Sequence, residues 1–233
     1  MRSSVVRAVL AAALVGGLVA GCSSESSSGE GAESSSGEGA KSPSASAKPT
    51  SAAPTEGAGG AKGEAAEQAG TVGDASSPCK LPVTFGTAAK WQPEAIDIAR
   101  DDEFADLAVQ GPVIARCEID AKPAGSIGFL RVYVEDPAGK DSEPLDILRA
   151  YVAADEEPAD AMYRAFTSGG VKGHQVEYET TSKLLEETRT VRAFAVPTPD
   201  GVVVVSLGGL DAEEHASMIP AYELAKQSVR VND

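Results

Sequence analysis

The sequence predicts an α+β domain, an antiparallel β-sheet packed with helices, set behind a leader and a polar linker. Three observations predict it. Residues 127–134, 174–180 and 188–196 read as short strands, two of them alternating side chains with the period of two expected of a half-buried strand. Four consecutive valines, Val202 to Val205, mark a central strand covered on both faces. Two longer segments, after Ser142 and after Asp211, place apolar residues at helical spacing behind capping residues. Short strands, a hairpin, helices, three antiparallel strands and a closing helix, in that order, describe a layered α+β domain.

The chain opens with Arg2 and Arg7 and no acid, followed by an unbroken run of Ala, Val, Leu and Gly from Ala8 to Ala20. A basic start and about a dozen apolar residues fit a secretory signal over residues 1–21. The run is too short to span a bilayer, which takes about 20 apolar residues. It ends Leu18-Val19-Ala20-Gly21-Cys22. That ending resembles the lipobox of bacterial lipoproteins, in which small residues precede a cysteine. The resemblance implies cleavage between Gly21 and Cys22, a diacylglycerol on the Cys22 thiol, and attachment to the outer face of the cell membrane. Two or more acyl chains anchor stably where one binds only marginally. The alternative is an ordinary secreted protein in which Cys22 is incidental.

Residues 22–78 form the expected tether. Beyond Cys22 they are Ser, Gly, Ala, Glu, Pro and Thr with almost no large apolar side chain, and ESSSGEGA occurs twice in tandem at 25–32 and 33–40. Such a segment buries too little apolar surface to offset chain entropy. A flexible chain of that length spans about 40 Å. The remaining residues, 79–233, suffice for one domain with a real core. The formal net charge of the chain is -15. An acidic domain is a poor match for nucleic acid or for anionic lipid headgroups, both of which select basic faces. Solubility outside the cell accounts for the acidity.

Within the domain, residues 81–85 read as a strand ending at Gly86, with Trp91 as a core candidate. Ile96 and Ile98 alternate with Asp97 as a second short strand. Phe104, Leu107 and Ala108 have helical spacing. Residues 112–119 form a strand with Val113, Ala115, Cys117 and Ile119 on one face, joined by a turn at 123–125 to the strand 127–134. Ser142 caps a helix carrying Leu145, Leu148 and Val152. Pro158 starts another, with Met162 and Phe166 four apart, stopped by Gly169-Gly170. His174, Val176, Tyr178 and Thr180 then face one way along a strand. A turn at 197–201 joins the strand 188–196 to the valine strand. Asp211 and Glu214 resemble a capping box for a last helix with Met218, Ile219, Tyr222, Ala225 and Val229 on one face. Pro220 lies inside it and should bend it unless the helix starts later.

The chain has three cysteines. With Cys22 lipidated, Cys79 and Cys117 are an even pair outside the cytoplasm, where disulfides persist. A bridge between them closes a loop worth about 4 kcal/mol in the loop-entropy account. Two buried thiols are the alternative. Neither histidine has metal-ligand spacing: His174 reads as a structural residue with its hydrogen bonds satisfied, His215 as a solvated one beside Glu213 and Glu214. Nucleophile elbows, zinc-protease pairs, Cys-x-x-Cys and calcium loops do not occur. The acidic run 155–160 reads as a solvated helix junction. No cofactor, metal or catalytic residue is assigned.

The extended segment 81–91 with its Trp, the meander 174–207 and the closing run Gln227-Ser228-Val229-Arg230-Val231 resemble the PsbP-like α/β sandwich shared by actinobacterial lipoproteins of the LpqN type. Residues 119–129 and 207–215 also resemble uncharacterised lipoproteins of high-GC actinobacteria. PsbP-like domains mostly serve as assembly or interaction modules, so the resemblance implies a non-catalytic role with an unidentified protein partner. A carrier or sensor holding a lipid or small ligand between sheet and helix is the alternative, and a carboxylate-dependent hydrolase a further one.

Overall fold

The computed structural model describes residues 63–139 and 141–232. The signal segment, Cys22 and the tandem repeat lie outside the described residues. In chain order the elements are β1 (Gly70–Val72), β2 (Val83–Thr87), β3 (Gln92–Ala95), β4 (Val109–Gln110), β5 (Val113–Asp120), β6 (Gly128–Glu135), α1 (Pro144–Ala153), β7 (Ala159–Ser168), β8 (Val171–Ser182), β9 (Glu187–Thr198), β10 (Gly201–Gly209), α2 (Ala212–Ser228) and β11 (Arg230–Val231). The large sheet runs β3-β5-β6-β10-β9-β8-β7, with β4 added to β5, and every neighbouring pair is antiparallel. A small second sheet runs β1-β2-β11.

The valine strand lies where its composition predicts. β10 sits between β6 and β9, and Val202 to Val205 are all buried. Alternation sends Val203, Val205 and Leu207 to one face, with Val132, Phe194, Met218 and Tyr222, beneath α2 and the small sheet. Val202 and Val204 go to the other, with Tyr133, Val176, Tyr178 and Leu148, beneath α1. The domain is therefore three layers deep: one helix, the large sheet, then a helix beside a small sheet. Asp211 caps α2 as expected, its carboxylate accepting the Glu214 N–H at 2.9 Å. Glu214 does not complete the box, because its own carboxylate accepts from the Ile127 N–H at 3.0 Å. The helix runs through Pro220 to Ser228.

Several expectations are corrected. Ordered structure starts before Cys79: β1 pairs with β2, and Val72 is fully buried in the core. Three residues of strand with one large apolar side chain give almost no periodic signal, which hid β1 inside a polar stretch. The four alternating residues of β5 do not share a face. A β-bulge between Ala115 and Cys117 puts Ala115 opposite Tyr133 and Cys117 opposite Val132. The extra residue, Arg116, turns the alternation over, so Val113 and Ala115 face α1 while Cys117 and Ile119 face α2. The helix expected after Pro158 is the edge strand β7. Residues four apart share a face in a strand as well as in a helix, so Met162 and Phe166 fitted both periods. Gly169 and Gly170, both with positive φ, form the two-residue turn into β8 that only glycine accommodates without strain. The strand read at Ile96 and Ile98 is β3, ending at Ala95, and both isoleucines pack against the α1-side core beyond it. The helical spacing at Phe104 and Leu107 gives only a 3-10 turn with both side chains exposed. Ser142 does not cap α1; its hydroxyl donates to Glu135, and Glu143 takes the capping position without a side-chain bond.

Candidate functional site

Cys79 and Cys117 are joined as a disulfide, Cα to Cα 5.7 Å, tying the lead-in to β2 onto β5 of the large sheet. Both half-cystines are buried in the α2-side core, which makes the bridge a structural element. No group of His, Cys, Asp or Glu able to hold a metal ion occurs among the described residues.

The polar chemistry concentrates on the α2 face, toward the β7 edge. Antiparallel register places Arg164 of β7 opposite Gln175 of β8, and Glu177 of β8 opposite Arg192 of β9. Tyr222, Glu223 and Lys226 come down from α2, three and four residues apart on one helical face. Together with Gly63, Met162 and Val176 they line a cavity of about 160 Å³. Glu177 pairs with Arg192 at 2.6 Å. Glu223 pairs with Lys226 at 2.6 Å, and Lys226 also donates to Gln175 Oε1 at 2.8 Å. Each carboxylate of the cavity is thus already held by a cation, which leaves neither as an unengaged acid for hydrolysis.

The same region holds polar atoms with no partner in the described protein. They are Arg192 Nε, Tyr222 Oη and both ring nitrogens of His215. Tyr222 is about 1% exposed, wedged edge-on to Phe194 with ring centroids 5.6 Å apart. Burial raises its phenol well above the ordinary value, so it stays a neutral hydroxyl. His215 is buried rather than solvated, which corrects the sequence expectation. The first turn of α2 presses against the end of β10, where a Cβ on Gly209 would stand 3.0 Å from the His215 nitrogen. Burial lowers the His215 imidazole from its ordinary value, Arg192 lowering it further and Glu177 opposing. His174 lies on the other face. It is half-buried, and its Nδ1 also lacks a partner, so it is not the satisfied histidine expected. It borders an open groove of about 620 Å³ between β7, β8 and the start of α1.

Sequence reasoning missed the cavity. Glu177, Arg192 and Lys226 are far apart in sequence, and only strand register and helix docking bring them together. Gln175, Glu177 and Glu179 were legible as one face of β8, but nothing local says that α2 covers part of that face.

A layered α+β domain with a disulfide-tied core and a polar pocket beneath its last helix is the class of protein defined so far. The family is specific: the chain belongs to a family of uncharacterised lipoproteins, whose model matches residues 48–229. Membership implies attachment to a membrane through lipid. No curated protein matches the chain. Among solved structures it is similar to cyanobacterial PsbP (CyanoP) from Synechocystis sp. PCC 6803, with 13% identity and a TM-score of 0.47, covering 76% of this chain and 99% of that one. It is also similar to LpqN of Mycobacterium tuberculosis, described as involved in cell envelope biogenesis, with 16% identity and a TM-score of 0.40, covering 68% of this chain and 88% of that one.

Proposed function

We propose that the protein is a lipid-anchored, extracytoplasmic binding module that does no chemistry. Cys22 carries the lipid, residues 23–62 form the tether, and the domain beyond presents its surface to another envelope protein. The family match across 48–229, joined to the Leu18–Cys22 ending, carries this reading. The tip of the β8–β9 hairpin exposes Leu184 and Leu185, 88% and 66% accessible, an apolar surface suited to a protein contact. Cys22→Ser should move the protein from the membrane pellet to the medium; retention in the pellet contradicts the anchor. A photocrosslinker at position 184 on intact cells should give a discrete adduct, and its absence counts against the interaction role.

The second reading is a carrier of a small ligand. The cavity beneath α2, with its unpartnered Tyr222 and Arg192 atoms, favours it.

A further inference from the structure

We propose that the cavity between α2 and strands β7–β9 binds a compact oxyanion, a carboxylate or phosphate group, through Arg164, Arg192 Nε–H and the Tyr222 hydroxyl. The proposal rests on the carrier reading and gives it a ligand class.

Charge pairing gives the sign. The cavity is lined by three cations and two carboxylates, and Glu177 and Glu223 are taken by Arg192 and Lys226. Arg164 has no acidic partner among the described residues. The local excess is positive, inside a chain whose net charge is -15. Screening over about 8 Å at physiological salt lets these neighbouring groups outweigh the distant acids.

Hydrogen bonding gives the chemistry. Arg192 Nε–H donates only, and its guanidinium already uses another nitrogen on Glu177. The Tyr222 hydroxyl is kept protonated by burial and is ready to donate. Arg164, Arg192 and Tyr222 all line the cavity, and the last two each carry a buried donor without a partner among the described residues, a set that calls for an acceptor carrying negative charge. Acidic side chains already fill the cation-matching role elsewhere in the cavity, so the missing group comes from outside the described protein.

Size and access give the limits. A cavity of about 160 Å³ suits a phosphate or a short carboxylate group. The β7 side is open, because Met162 and Arg164 are both exposed there. At the other lip lies Gly63, whose carbonyl accepts from Gln227. A Cβ at that position would fall 2.8 Å from Glu223, so the strap of chain leading toward the tether fits closely over the pocket. The same chemistry arrives as a free anion or as the headgroup of an anionic phospholipid.

The test uses the full chain bearing Cys22→Ser, titrated separately with inorganic phosphate, acetate and a short-chain phosphatidylglycerol below its micelle concentration, and followed by amide NMR shifts. Saturable shifts around Arg192 and Tyr222 are expected with at least one probe. Binding should weaken about tenfold in Arg164→Gln, an exposed edge-strand position that leaves folding intact. It should also weaken in Tyr222→Phe, which keeps the ring packing. Response to phosphate or acetate assigns a free anion; response to the phospholipid alone assigns a headgroup. Silence from all three probes overturns the proposal, as does binding unchanged in both variants. Native mass spectrometry of the same protein separates the two levels: a co-purified molecule with no acidic group overturns the oxyanion and leaves the carrier reading standing.

Discussion

Asn232 ties the two ends of the described chain together. Its side-chain nitrogen donates to the carbonyls of Leu81 at 2.8 Å and Gly73 at 3.2 Å, and its oxygen accepts from the Thr84 hydroxyl at 2.8 Å. An amide satisfied on both sides in a half-buried position is worth more than a surface contact. Asn232→Ala should cost about 1–3 kcal/mol in chemical denaturation. His215 gives a second prediction at this scale. The folded imidazole is held below its ordinary value of about 6.5, chiefly by burial and further by Arg192, against Glu177. The unfolded chain therefore takes up a proton first as pH falls. The His215 contribution is complete above about pH 6.5 and declines as pH drops through the unfolded and then the folded value. His215→Gln should flatten the stability curve between about pH 7 and 5 relative to the unaltered chain; parallel curves would contradict a buried neutral histidine.

The elements divide by how much of their definition is local. β10 was legible because four valines can only be a strand buried on both sides, and α2 because Asp211 and the apolar face from Met218 to Val229 agree. β7 was not, since its residues are mostly exposed and a spacing of four fits either period. The bulge at Arg116 was not, since it shows only when β5 is laid against β6. β1 was not, since its place depends on β2 rather than on its own three residues. Val72 makes that element testable. It is fully buried, so Val72→Ala should cost about 1.5–3 kcal/mol, whereas a residue in a loose tether would cost nothing measurable. The disulfide belongs to the same scale, because it fastens the layer that contains β2 to the large sheet. Replacing Cys79 and Cys117 together by Ala should lower stability by about 2–4 kcal/mol, read from the denaturation midpoint.

At the scale of the whole molecule, the sequence divides its labour between an address and a surface. The proposed address is a linear pattern, from Arg2 to Cys22, of the kind that other proteins read while the chain is extended. The polar pocket was invisible, because its parts come from β7, β8, β9 and α2 and meet only after folding. The family match covers residues 48–229, so it reaches upstream of the domain's first strand. The lipid on Cys22 is the central claim. The measurement that reaches it most directly is the intact mass of the protein extracted from membranes of cells that make it. The account predicts a chain beginning at Cys22, heavier than the polypeptide by a diacylglyceryl group, with or without an acyl chain on the new amine. A mass matching bare polypeptide, or a mature chain that begins elsewhere, would contradict it.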